Sequence, residues 1–242
     1  MEIGPRKKVE TVLNSFKSPQ RIALIGGTSE IGNAVIASLP QAAITEVIRI
    51  SRESSSFDAT NKSDRQEVVR TIFGQDLDLA IIAIGALGND PALTEEDNLL
   101  NAMEVNYLAT AHLLYLISHQ MKKQSHGQIL IISSFAQERP RVDNFAYGST
   151  KSAIDFYARG LSDSIIGTGV EVKILRPGFV RTQMTMGMKS APFSISAEKA
   201  GLAGAKLLRG NEKIAYAPDL LKIVAWIFRK LPEKIFLRIT KV

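Results

Sequence analysis

The chain has 242 residues, 45% of them hydrophobic and 22% charged, enough to build one globular α/β domain with a substantial core. It has no cysteine, which excludes disulfides and thiolate metal sites, and no run of about twenty apolar residues that could span a bilayer. The net charge of +6 is concentrated at one end: residues 219–242 carry six basic side chains against Asp219 and Glu233, a local +4.

Residues 1–20 lack the apolar core of a signal peptide and are expected to be an extension on a cytoplasmic protein. The domain proper is placed at residues 21–218. Ile22 to Ile25 make a buried parallel strand, and Gly26, Gly27 and Gly32 punctuate a turn into the helical pattern of Ile31, Val35 and Leu39. A strand, a glycine turn and a helix N-terminus aim backbone N–H groups and the helix dipole at a phosphate. Val47 to Ile50 read as the second strand, ending at Ser51 and Arg52, where an Arg can pair a 2′-phosphate. That position leans toward NADPH; the bland alternative is a solvated Arg. Asp58 is placed to bond the adenine amine.

Residues 62–73 are predicted helical, and Leu77 to Ile84 form another buried strand ending in the small pair Gly85-Ala86. A long helix is expected over Glu95–Met121, with Asn106 in its interior. His112, His119 and His126 recur every seven residues, but no carboxylate completes a ligand set, so no metal site is expected. Further strands are read at 128–132, 170–175 and 213–217, with helices at 145–165 and 197–209. The stretch from Phe179 to Ile195 has little periodicity and reads as a flexible lid. Strand–helix alternation throughout predicts a single-domain, Rossmann-type doubly wound parallel sheet.

The chemistry concentrates between Ser133 and Ser152. Ser134 follows the strand at 128–132, Tyr147 comes thirteen residues later, and Lys151 lies one helical turn beyond. An ammonium beside a phenol favours the phenolate and is expected to draw its pKa from about 10 toward neutrality. Taken alone, a Tyr and Lys at this spacing are most often an ordinary surface pair on a helix.

In this order and spacing, GGTSEIG, Asp58, Asn106, Ser134, Tyr147, Lys151 and Pro177-Gly178 with Thr182 resemble the short-chain dehydrogenase/reductase family over residues 20–218. The resemblance implies Ser134, Tyr147, Lys151 and Asn106 as the catalytic set. It implies cofactor contacts from Gly26, Thr28, Ser29, Ile31, Gly32, Ser51, Arg52, Asp58, Ala83, Gly85, Tyr147, Lys151, Pro177, Gly178, Val180 and Thr182. Departures are Ile25 in place of Thr, Glu30 in place of the middle glycine, and AIGA at 83–86 in place of Asn-Asn-Ala-Gly. Within the family, the block around Tyr147, the run RPGFVRTQM and the basic ending look like the branch that reduces decaprenylphosphoryl-2-keto-ribose in arabinan biosynthesis. Gln137 and the longer N-terminus depart from that branch. The branch implies a lipid-linked pentose substrate, a flavoprotein oxidase partner that makes the ketone, and NADH. It therefore pulls against Arg52 on cofactor choice. A ketoreductase of acyl-thioesters or soluble sugars and a non-catalytic nucleotide sensor are the alternatives.

Family members pair their two long helices, so a homodimer or homotetramer through 95–121 and 145–165 is expected; no nucleic-acid partner is. Along 219–242, Lys222, Arg229 and Lys230 share one helical face and apolar residues fill the rest. Trp226 stands beside the cations, the pattern of a helix lying in a membrane interface.

Overall fold

The computed structural model describes residues 20–87 and 96–240. Its strands and α-helices run β1 (Gln20–Ile25), α1 (Glu30–Ala37), β2 (Ile44–Ile50), α2 (Arg52–Ser55), α3 (Lys62–Ile72), β3 (Leu79–Ile82), α4 (Glu96–Met103), α5 (Thr110–Gln124) and β4 (Gly127–Ile132). They continue α6 (Phe145–Ser164), β5 (Val170–Pro177), β6 (Val180–Arg181), β7 (Ile195–Ser196), α7 (Ala197–Arg209), β8 (Ile214–Ala217), α8 (Leu221–Lys230) and α9 (Glu233–Thr240). Six strands form one parallel sheet in the order β2-β1-β3-β4-β5-β8, the doubly wound arrangement expected. Gln20, assigned from sequence to the extension, already belongs to β1. The rest of that extension, Glu95 and Lys241 lie outside the described residues.

Strand alternation divides the core in two. Ala23, Ile25, Ala80, Ile82, Ile129 and Ile131 pack with Val69, Leu113, Ile117 and Ile154 of α3, α5 and α6. Ile22, Leu24, Leu79, Ile81 and Leu130 pack on the other face with Val35, Ala200 and Leu208 of α1 and α7. Both faces are covered, which is why these strands read as continuous apolar runs. The chain turns one way from β1 to β2 and the other way to β3. The crevice between β1 and β3, at the carboxyl ends of the strands, is the switch point where such sheets bind ligands.

Two elements differ from expectation, and a third, the tail, is also placed. The long helix is interrupted: Glu104–Ala109 form a π turn between α4 and α5, and α5 runs on to Gln124. The predicted lid is tied down at both ends by β6 and β7, which pair Val180 with Ile195 and Arg181 with Ser196. The tail does not stand clear of the domain. Leu221, Ala225 and Phe236 are buried, and the Phe228 ring lies 5.6 Å from Phe135 and 5.2 Å from Phe236.

Candidate active site

At the switch point, Gly26 has φ +96°, a conformation costly for any residue with a Cβ. A Cβ there would also lie 2.6 Å from the Ala83 carbonyl, so the turns after β1 and β3 touch. Ser29 caps α1 by accepting from Gly32 N at 3.1 Å. Asn33 then donates to the Gly27 and Ser29 carbonyls at 2.8 and 2.9 Å, fixing the loop's shape. Exposed Thr28 and half-buried Ile31 complete this turn. The cradle suits a dinucleotide: backbone N–H groups at a helix start, opened by a glycine, at the sheet's crevice.

Beyond β2, Ser51 caps α2 through Ser54 N at 3.1 Å, and Arg52 heads that short exposed helix. Asp58 Oδ1 accepts from Thr60 N (2.9 Å) and Thr60 Oγ1 (2.8 Å). These two bonds hold its exposed carboxyl below the usual range, backbone donor first. Arg49, passed over in the sequence, projects from β2 toward α1 and donates to Asn33 Oδ1 at 3.1 Å. Alternation on β2 was the signal for it. Two arginines therefore flank the crevice's adenosine end.

The catalytic candidates converge where β4 ends. Ser134 opens a 3₁₀ turn (Phe135–Glu138), accepting from Ala136 N at 3.1 Å, and its hydroxyl faces the Tyr147 phenol closely enough to favour its ionised form. Tyr147 and Lys151 lie in the first two turns of α6. Lys151 is buried, donates to the Ile132 carbonyl at 3.2 Å, and sits 5.7 Å from the Tyr147 ring centroid. Burial pushes the phenol up to about 12, against the smaller lowering effect of the Ser134 bond. Burial also draws Lys151 down to about 8. The expected lowering of Tyr147 by the ammonium is thus reversed here. Desolvation disfavours the charged form of both groups and dominates both shifts. A phenol held protonated at neutral pH is a proton donor.

Asn106 is fully buried in the π turn. Its Oδ1 accepts from Ala86 N (2.8 Å), and its Nδ2 donates to the Ala86 carbonyl (2.7 Å) and Thr150 Oγ1 (3.1 Å). One side chain thus ties the segment after β3 to α6 beside Lys151. A Cβ on Gly85 would lie 3.3 Å from Asn106 Oδ1, 3.7 Å from Lys151 Nζ and 3.7 Å from Met184 Cε. Pro177 ends β5, Gly178 follows it, Val180 is buried in β6, and Thr182 N donates to Thr185 Oγ1 at 3.0 Å. Gln183 N donates to Glu30 Oε2 at 2.6 Å, so the residue replacing the middle glycine holds this loop over the cradle. A cavity of about 410 Å³ opens between Glu30 and Met186, Met188 and Ser190 of the loop.

An ion cluster behind Ser134 escaped the sequence reading. Asp155 of α6, wholly buried, accepts from Arg176 Nε and Nη2 at 2.8 and 2.7 Å and from Ser133 Oγ at 3.1 Å. Arg176 continues to Tyr216 (2.6 Å) and Glu138 (3.2 Å), and Arg229 of α8 reaches Glu138 at 3.1 Å. The histidines go separate ways. His112 Nδ1 accepts from Arg65 at 2.9 Å, and burial, then Arg65, lowers its pKa; His119 Nδ1 contacts the Tyr115 carbonyl; His126 faces Asp78 at 3.7 Å.

The sequence profile described as short chain dehydrogenase matches residues 10–192. An uncharacterized oxidoreductase of Mycobacterium tuberculosis is 28% identical over 241 positions, covering 91% of this chain and 97% of the relative. One from Streptomyces coelicolor is 29% identical, covering 91% and 96%. Among solved structures, a short chain dehydrogenase from Burkholderia cenocepacia in complex with NADP superposes with a TM-score of 0.80 at 19% identity, covering 92% of this chain and 99% of that one. A gluconate 5-dehydrogenase from the same organism, with NADP and tartrate, gives 0.75 at 19% identity, covering 88% and 99%. With the profile spanning most of its length, the chain belongs to the short-chain dehydrogenase/reductase family of NAD(P)-dependent oxidoreductases.

Proposed function

We propose that the enzyme works as a ketone reductase on a lipid-linked sugar, converting decaprenylphosphoryl-2-keto-pentofuranose to decaprenylphosphoryl-arabinose. The observation that carries this reading is the convergence of Ser134, Tyr147 and Lys151 where β4 ends, with Lys151 Nζ 5.7 Å from the Tyr147 ring centroid and bonded to the Ile132 carbonyl. When bound, the reduced nicotinamide supplies the hydride to the carbonyl carbon. Ser134 donates a hydrogen bond to the carbonyl oxygen and orients it. Tyr147 would deliver its proton to that oxygen, completing the alcohol. The Lys151 ammonium steadies the phenolate left behind and bonds the cofactor's ribose, while Asn106 keeps Gly85 and the α6 turn in register around it. The cradle residues Gly26 to Gly32 would hold the pyrophosphate, and Arg49 and Arg52, at the end of β2 and the start of α2, would offer positive charge to a 2′-phosphate, which favours NADPH on charge grounds. A B. cenocepacia structural neighbour binds NADP.

Exposed methionines support a lipid-borne substrate: Met186 and Met188 of the loop line the cavity's mouth, and Met184 lies near Gly85. The upstream supplier of the ketone is a flavoprotein oxidase. Exposed Tyr107, Leu108, Tyr115 and Phe156 support self-pairing through α5, the π turn before it and α6. Turnover of the keto lipid is followed by loss of reduced-nicotinamide absorbance, with NADH and NADPH assayed separately. Turnover of acyl-thioester or soluble keto sugars, but not of the keto lipid, replaces the substrate reading. Cofactor binding without turnover of any of them replaces the reductase by a sensor.

A further inference from the structure

A surface helix needs one apolar stripe to bury, and α8 carries two. Leu221, Val224, Ala225 and Phe228 turn inward, against Tyr216 and Phe135. On its other side Ile223, Trp226 and Ile227 stay 58%, 62% and 42% exposed. The following helix, α9, repeats the division, with Phe236 at 2% exposure and Ile235 and Ile239 at 48% and 58%. Exposed cations Lys222, Lys230, Lys234 and Arg238 border this outer apolar surface, while Arg229 is held by Glu138.

The position of the surface matters as much as its chemistry. The ends of β5 and β8 meet at Pro177 and Ala217, at the catalytic edge of the sheet. A Cβ on Gly178 would lie 2.6 Å from Leu221 Cδ1. Arg139, just past the turn that follows Ser134, donates to the Phe228 and Leu231 carbonyls at 2.7 and 2.6 Å. The two helices therefore form the outer wall beside the substrate entrance.

We propose that the exposed face of α8 and α9 docks on an anionic lipid bilayer and sets the catalytic edge against it. Charge selects this occupant. A second copy placed face to face would bring these cations against their own kind. Residues 1–19 carry four basic and two acidic side chains, so they offer no complement either. Acidic headgroups complement the cations, acyl chains take the isoleucines, and an indole suits the boundary between them. No helix among the described residues is long and apolar enough to cross a membrane, so the contact is peripheral. The proposal deepens the lipid-substrate reading, and because docking is scored without turnover, either can fail alone.

Full-length protein is the sample, because cutting at Pro218 would uncover Phe135 and Glu138. Vesicles of phosphatidylcholine alone, or with a third phosphatidylglycerol, are used for sedimentation at low and high salt. Trp226 is the sole tryptophan, so its fluorescence reports docking directly. The expected result is sedimentation with anionic vesicles, weakened by salt, with a blue shift of the Trp226 emission. Removing two charges (Lys222→Ala with Lys230→Ala) lowers partitioning on the order of thirtyfold. Ile223→Ser with Ile227→Ser abolishes the blue shift while cofactor binding and thermal midpoint stay unchanged. Absence of wild-type binding, or equal binding by wild type and both variants, overturns the proposal. So does a dimer that these variants dissociate while vesicle partitioning stays the same.

Discussion

Asp155→Asn tests the ion cluster that backs the catalytic serine. The carboxylate is wholly buried and accepts four hydrogen bonds, two from Arg176 at 2.7 and 2.8 Å, one from Ser133 at 3.1 Å and one from Arg159 at 3.2 Å. Asparagine keeps the volume but offers one acceptor oxygen. In either amide orientation its NH₂ confronts an Arg176 N–H, and the charge that neutralised the guanidinium is gone. Breaking a buried pair from one side costs about 3–5 kcal/mol. Glu138 remains 3.2 Å from Arg176, which points to the lower end. At about 2–4 °C per kcal/mol for a chain of this size, a loss of about 3 kcal/mol lowers the thermal midpoint by roughly 6–12 °C. Equilibrium unfolding in urea measures the free energy directly, and a cycle with Arg176→Met should show coupling of at least about 1 kcal/mol between the two sites. Turnover falls as well, since Ser133 loses its anchor beside Ser134. A destabilisation below about 1 kcal/mol, typical of an exposed pair, would falsify this account of the cluster.

Three further outcomes are expected. Tyr147→Phe lowers the reduction rate about 10²- to 10⁴-fold, with cofactor affinity little changed in a direct titration; near-normal turnover would remove Tyr147 from the proton transfer. In the reductive direction, kcat/KM falls as pH rises through about 8, where Lys151 loses its proton, while Tyr147 at about 12 stays protonated; a profile flat to pH 9.5 contradicts that assignment. Arg49→Ala and Arg52→Ala are compared by binding of both cofactors. An arginine pairing a 2′-phosphate gives up roughly 1.5–3 kcal/mol of NADPH affinity when removed, and none of NADH's. Equal loss for both cofactors rules out a phosphate contact.

Local patterns made the sheet, the glycine cradle and the Ser134–Tyr147–Lys151 set legible, because each is specified by neighbours within a turn or at a strand's end. What stayed hidden depends on distant partners. The π turn exists where Asn106 reaches back to Ala86, twenty residues earlier, and nothing in the helix periodicity marks it. Asp155 and Glu138 lie 21 and 38 residues from Arg176 in the chain, and only the fold brings them together. The direction of the Tyr147 shift depended on how much water reaches the phenol, which spacing does not encode. In α8 both sides are apolar, so a helical wheel could not say which one the domain would claim.

The long reach of Arg139 to Phe228 and Leu231 also sets an order of assembly. A nascent chain that has emerged through β5 already holds Ser134, Tyr147, Lys151, Asp155 and Arg176. It still lacks the Tyr216 hydroxyl, the Arg229 partner of Glu138 and the two carbonyls that restrain Arg139. The wall behind the reactive groups closes only once β8 and α8 have left the ribosome. The catalytic centre is thus read early from the message and walled in later, by residues more than fifty positions downstream of Lys151.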